Sequence, residues 1–519
     1  MMVRLLSLVM LAVVVSGCGS SGDTGSGSAG DALAYLPADA STVLFLSTDV
    51  DGEQWDAFDR LVVRRIADDN EAKKSFDEYA EEAFRESEGV DWEEDVKPLL
   101  GNDIAIGIEG DPIGLLRGDG ESSFVVALDT RGGDIEAVLE EAGWKPAGEA
   151  NGATLYTEER GDDLFAVEDG VFLTAENEAA LRSALERRDA GDGLDDDTVE
   201  EELADLPSGY FARGFGTLDG LAEQEQLRRF TNVGFFEVLE TWAATVRFEQ
   251  DELNAEVAVR LDEEQVEEED LPVVSGEDSP EIVPRVTEIS GGNLNQSQTT
   301  AFLLRTVQAA YPNSRFVRAV DAMDEDLGIS FEEEILRQFN GPSASYVSPD
   351  GRTFAARSEV RDPEALRVLL PRIAPHLPAL VEGLQGLESE GMALLFLLAP
   401  DAPAAAPMHG VKVDPPTGPD GLYRISGLTG DGPAELHLGL IGDVFVVASD
   451  EQRAREIAAA DTEPAEGAQG AGVLRADLAK ISRGLGDFLF LFPLEGKELV
   501  ASLEASTDEL RARVRIELD

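Results

Sequence analysis

The chain of 519 residues has a single cysteine, Cys18. Without a second thiol it can form no intrachain disulfide and no cysteine-based metal centre. Histidine is nearly as scarce. His376, His409 and His437 all fall in the second half, with no pair at the spacing of a helical zinc site and no His-Glu-x-x-His. Positive charge is also short: 41 basic residues stand against 105 acidic ones, for a net charge of −64. Phosphate binding needs a basic face, so nucleic acid is excluded as a partner, and direct adhesion to an anionic lipid surface is disfavoured for the same reason. No stretch reaches the roughly 18 uninterrupted apolar residues of a membrane-spanning helix. There is no Gly-x-Ser-x-Gly elbow, and Gly496-Lys497 lacks the upstream glycine of a phosphate loop. Asp49-Val50-Asp51-Gly52 places its glycine too early for a calcium loop. No catalytic residue, metal site or cofactor is therefore expected.

What is present begins at the N-terminus. Arg4 and the free amine precede an apolar run, Leu5 to Val15, broken only by Ser7. That is the length of a signal-peptide core and too short to span a bilayer. Val15-Ser16-Gly17-Cys18 follows, and it resembles the lipobox of bacterial lipoproteins. The resemblance implies that Cys18 carries a diacylglyceryl group and that the chain is cut just before it. Gly19 to Gly30 is mostly Gly and Ser, a composition that behaves as a flexible coil. Residues 1–17 thus read as a signal peptide and 18–31 as a tether. The expected location is outside the cytoplasm, held to the membrane by lipid.

The rest carries an internal echo. Ser41–Thr48 resembles Thr299–Thr306, both read as strands. Gly89–Val96 is echoed by Gly328–Ile335, Ser123–Val126 by Thr353–Ala356, and Asp169–Ala175 by Gly442–Ala448. Each half ends in a hairpin pattern, Ala244–Phe248 with Leu253–Leu261, and Val500–Leu503 with Leu510–Leu518. Five pairs in one order predict a tandem duplication with units at 32–262 and 285–519. The acidic stretch 263–284, with three prolines, reads as a linker. Period-two apolar runs alternate with helical stripes at Gln54–Ala67 and Glu71–Glu86. The expected class is α+β, with a mainly antiparallel sheet in each unit and helices on one face. Phe172 and Phe445 are expected in equivalent buried places.

Leu36-Pro37-Ala38-Asp39-Ala40, the strand Val43–Ser47 and then Gln54-Trp55 resemble the opening of a bacterial family described only as domain of unknown function 3352. The resemblance implies an envelope location and no assigned activity.

The second unit also carries additional sequence between Asp362 and Gly421, including Leu377–Leu387, Met392–Leu398 and the Ala/Pro stretch Ala399–Pro407. One reading is an extra core helix and loop. The other is an apolar contact segment, with Met392, Leu394, Leu395, Phe396 and Leu398 meeting a hydrophobic ligand or an envelope protein. The leading expectation is a non-enzymatic binding or scaffold lipoprotein. A cell-wall or peptide hydrolase and a carrier of a hydrophobic ligand are the alternatives. An enzyme would converge titratable groups in one pocket, whereas a carrier needs an apolar cavity. For the anchor the expectation is direct: Cys18→Ala abolishes labelling of the chain by a fatty-acid analogue in cells, and equal labelling of both forms would overturn the lipid attachment.

Overall fold

The computed structural model describes residues 29–63, 75–87, 89–110, 122–157, 164–218, 233–284, 289–348, 352–390, 410–417, 421–428, 434–478 and 496–518. Val15, Ser16, Gly17, Cys18, the segment Met392–Leu398 and His409 lie outside these residues.

Strands of the first half are β1 (Thr42–Leu46), β2 (Ile104–Glu109), β3 (Ser123–Asp129), β4 (Lys145–Ala150), β5 (Ala153–Thr157), β6 (Leu164–Glu168), β7 (Val171–Ala175), β8 (Ala212–Thr217), β9 (Leu239–Glu249) and β10 (Glu252–Leu261). A two-residue strand, β11 (Glu281–Ile282), follows in the connection. The second half holds β12 (Ile289–Asn293), β13 (Ser343–Val347), β14 (Phe354–Glu359), β15 (Lys412–Asp414), β16 (Tyr423–Ser426), β17 (Glu435–Ile441), β18 (Val444–Ala448), β19 (Glu463–Pro464), β20 (Gly472–Asp477), β21 (Gly496–Ala505) and β22 (Glu509–Leu518). All strand pairs are antiparallel. The first half runs β4-β5-β6-β7-β3-β2-β1-β8-β9-β10 across the sheet. The second runs β15-β16-β17-β18-β14-β13-β12-β20-β21-β22, the same order strand for strand. β10 pairs with β22, joining both into one 20-stranded sheet; β11 and β19 form a separate small ribbon.

The main helices are α1 (Glu53–Phe58, running on as a π-turn to Val63), α2 (Phe76–Ser87), α3 (Ile135–Glu141), α4 (Glu178–Ala190), α5 (Asp196–Leu203), α6 (Gln296–Ala310), α7 (Arg315–Leu327), α8 (Pro363–Ile373), α9 (Leu377–Glu390) and α10 (Glu451–Ala458). Short polar side chains start most of them. Asp134, Asn177, Asp195, Asn295, Ser314, Asp362 and Asp450 each accept a hydrogen bond from the backbone N–H three residues on. Each such cap contributes about 1 kcal/mol. The echoed segments Trp92–Val96 and Phe331–Ile335 are both π-turns, capped by Asp91 and Ser330 and followed by a 3-10 turn.

Several expectations need correcting. Thr299–Thr306 is not a strand but the middle of α6, because Asn295 caps it and Ala301, Leu304 and Val307 bury one helical stripe. The positional match to β1 is β12, whose Gly-rich ISGGN is held as a strand by neighbours on both sides. The sheet is one structure, not one per unit, and helices cover both faces. Val125, Val126, Ala127 and Leu128 are all buried, so β3 has no solvent side and each face needs its own layer. In the first half α1, α2 and α3 cover one face and α4 and α5 the other. The acidic connection packs on the second half: Leu271 and Val273 are buried with Ala471 and Ala505.

The β10–β22 seam alternates cleanly. On one side Leu253 faces Ile516, both buried in the core of the first half. On the other, Glu256 lies 2.8 Å from Arg511 and 3.4 Å from Arg513, and Arg515 is 3.6 Å from Glu252. Glu256 is buried, and truncating it takes one carboxylate from two guanidinium groups that each keep another, Arg511 keeping Glu509 and Arg513 keeping Glu504. Glu256→Ala should cost about 2 kcal/mol, less than the roughly 3–5 kcal/mol of a fully buried pair because Arg511 keeps Glu509. Urea unfolding checks this; a midpoint within error of wild type would show the seam does not depend on the ion pairs.

Candidate functional site

The two halves share a strand order but differ in how the equivalent helix layer is filled. In the first half aromatic rings fill it. Trp55 packs on Phe76 with ring centroids 4.7 Å apart, Phe58 on Phe211 at 4.7 Å, and Phe84 on Trp92 at 5.6 Å. Further along, Trp144 meets Phe165 at 4.5 Å and Phe165 meets Phe172 at 5.1 Å. The hollow left between α1, α2 and the Trp92 turn measures only about 30 Å³.

All four tryptophans, at 55, 92, 144 and 242, belong to the first half. At the second π-turn Phe331 stands where the first has Trp92. In the equivalent hairpin of the second half Leu438 takes the register place of Phe165: Leu438 lies opposite Val447 and Phe165 opposite Thr174, each the third residue after Val444 or Val171. Trp144 follows α3 at once, whereas α8 runs into the additional helix α9. The outcome is a cavity of about 530 Å³ under α6, α7, α8 and α9. Leu304 and Val307 of α6, Phe316 of α7, Ile335 and Phe339 around the π-turn, Leu366, Leu370 and Ile373 of α8, and Leu377, Leu380 and Val381 of α9 form its walls; Leu438 and Phe445 form its floor. Phe445 is thus half-buried on the cavity and packs on Phe339 at 5.0 Å, unlike Phe172, which is fully enclosed. Equivalent position did not bring equivalent burial.

Among the described residues Thr300 is the one polar lining residue, and its hydroxyl donates to the Gln296 carbonyl at 2.8 Å. No titratable side chain lines the cavity among the described residues. His376 sits 3.1 Å from Asp326, and His437 lies 3.7 Å from Glu435; neither reaches the cavity. Leu303 and Leu384 line it yet are 38% and 44% exposed, so the cavity opens to the surface between α6 and α9. Gly383 lets α9 approach closely: a Cβ there would lie 2.6 Å from the Phe316 Cα. Of the additional sequence, Leu377, Leu380, Val381 and Leu384 line the cavity, while Met392, Leu394, Leu395, Phe396 and Leu398 lie outside the described residues. The signal that would have located the cavity was the absence of tryptophan from one half.

The most perturbed carboxyl lies elsewhere. Asp103, 1% exposed at the start of β2, accepts from the Tyr210 hydroxyl and sits 3.8 Å from Arg213. The Arg213 guanidinium stacks over the Tyr210 ring at 4.1 Å. One Asp103 oxygen, Oδ1, has no hydrogen-bond partner. Burial pushes its pKa up to about 6, against the pull of Tyr210 and Arg213. Its neighbours are Tyr210 and Arg213, and it reads as a structural ion pair.

An α+β protein built on one long antiparallel sheet, with an apolar cavity on one half, is the class that fold and site define. The chain belongs to the DUF3352 family, described as a protein family of unknown function, whose model matches residues 1–359. That match ends at β14, so α8, α9 and the cavity floor lie beyond it. No curated protein matches the chain. Among solved structures, crystal form III of TP0453 is similar over 44% of this chain and 79% of its own, at 11% identity and a TM-score of 0.25. Crystal form I covers 46% and 81%, at 11% identity and 0.26. Scores this low carry no functional argument.

The raised Asp103 pKa has a definite sign. Between the ordinary carboxyl value near 4 and about 6, the folded state holds a proton that the unfolded chain releases, so this group's contribution to stability falls as pH rises through that window. Asp103→Asn should flatten the stability profile between about pH 4 and 6 relative to wild type. Thermal melts across that range test it; parallel profiles would mean Asp103 titrates normally.

Proposed function

We propose that the chain is an exported lipoprotein, tethered through Cys18, that carries a hydrophobic ligand in the cavity of its second half. The observation that carries this reading is the cavity itself. At about 24 cal/mol per Å³, a sealed void of about 530 Å³ would cost on the order of 10 kcal/mol, as much as the whole stability of many domains. Opening at Leu303 and Leu384 makes it a pocket of ligand size instead. Catalysis has no support there, since no acid, base or nucleophile faces the cavity among the described residues. The carrier reading is thus favoured over a scaffold or a hydrolase. The shared strand order supports a tandem duplication in which the first copy kept a filled core and the second was hollowed. The Gly/Ser tether would let the folded part reach outward from the membrane that holds the anchor.

N-phenyl-1-naphthylamine, a neutral fluorescent probe, tests the site. The delipidated full chain should bind one probe, and Leu304→Trp should abolish binding while raising thermal stability by about 1 kcal/mol, as cavity filling does. Undiminished probe binding in a stabilised Leu304→Trp variant would place the ligand elsewhere.

A further inference from the structure

Among the described residues the cavity offers a ligand no polar partner, because the Thr300 hydroxyl is already committed to Gln296. A polar group taken inside unpaired would cost roughly 2–7 kcal/mol. Any head group must therefore stay at the mouth, and the mouth has a sign. In a chain where 105 of 519 residues are acidic, the fifteen residues of α6 contain no Asp or Glu. Across the mouth, α7 opens with Arg315 and Arg318, both exposed, and its first acidic residue is Asp321. Neither arginine has an ion-pair or hydrogen-bond partner among the described residues. Elsewhere the helices pair arginine with a glutamate one turn away, as in Arg182 with Glu178, Arg337 with Glu333 and Arg455 with Glu451. Arg315 is also close to the opening: a Cβ on Gly383 would lie 3.1 Å from the Arg315 carbonyl carbon, and the next residue is the rim leucine Leu384. Glu382 precedes Leu384 by two positions, which turns it about 200° away around the helix at 3.6 residues per turn.

We infer that the ligand is an anionic amphiphile, its aliphatic tail in the cavity and its head beside Arg315 and Arg318. This rests on the cavity being a ligand site, as proposed above. At about 30 Å³ per methylene, close to a water molecule's share of the liquid, about 530 Å³ holds a tail of about 18 carbons. Two sources share this chemistry, a free fatty acid and an anionic membrane lipid.

The test measures binding of alkanoates from 8 to 20 carbons to the delipidated full chain at low salt, with hexadecan-1-ol and hexadecyltrimethylammonium as head-group controls. Affinity should rise about fourfold per methylene, the equivalent of about 0.8 kcal/mol, and level off near 18 carbons. Hexadecanoate should bind about 2–10-fold tighter than the alcohol, as expected for exposed charge pairs, and the cation weakest. Arg315→Gln with Arg318→Gln should erase that preference without changing the length dependence, and the paired Lys variants should keep it. Uptake from phosphatidylglycerol vesicles in addition to hexadecanoate would identify the membrane lipid as the source; hexadecanoate binding alone would identify the free acid. Equal affinity for all three head groups overturns the inference and leaves the hydrophobic site standing. Absence of binding by every probe overturns both.

Discussion

Everything in the large sheet depends on one antiparallel pairing, Glu252–Arg260 against Glu509–Glu517. Without it each half would end in a long strand with a row of unpaired backbone groups, which is a template for aggregation. With it both long edges disappear into one seam. The edges that remain are blunted: β4 carries Lys145 and Pro146, and β15 is only three residues long and runs into Pro415 and Pro416. The seam also merges cores. Leu499, Ile516 and Leu518 from the C-terminal hairpin are buried with Phe248 and Leu253 in the cluster that contains Trp55 and Trp92. Folding of the first half is therefore coupled to arrival of the last strand of the chain.

Once the halves are held in one sheet, the difference between them becomes a division of labour. Aromatic rings lock one helix layer, and its residual hollow is about 30 Å³. The corresponding layer of the other half keeps the same frame of strands and turns, with smaller side chains and one more helix, and holds about 530 Å³. A rigid partner beside it steadies a layer that packs less densely. The strands that form the cavity floor, β17 and β18, are each paired on both sides, which holds the frame beneath the hollow.

Much of the frame was legible from residue pattern. The hairpins at 239–261 and 496–518 show period-two alternation, and the π-turns announce themselves by Asp91-Trp92-Glu93-Glu94 and Ser330-Phe331-Glu332-Glu333. The strand reading of Thr299–Thr306 failed because threonine's β preference is weaker than a capped helix with a buried stripe. Helices on both faces were missed in strands whose apolar runs are continuous, since a run such as Val125–Leu128 names no single face. The cavity was half legible. The additional apolar sequence was visible, but the wall it supplies is Leu377–Leu384, and the other walls come from segments up to eighty residues upstream.

By itself the sequence determined the local and compositional facts: an acidic chain, one cysteine in a lipobox-like setting, capped helices, alternating strands and two similar halves. These follow from spacing and charge, which act over a few residues. Only the tertiary structure decided that the halves share one sheet, that Asp103 is buried beside Tyr210 and Arg213, and that Phe445 faces a hollow where Phe172 faces rings. Whether a layer is full depends on the summed volume of side chains brought together from distant segments, and no short stretch of sequence encodes that sum.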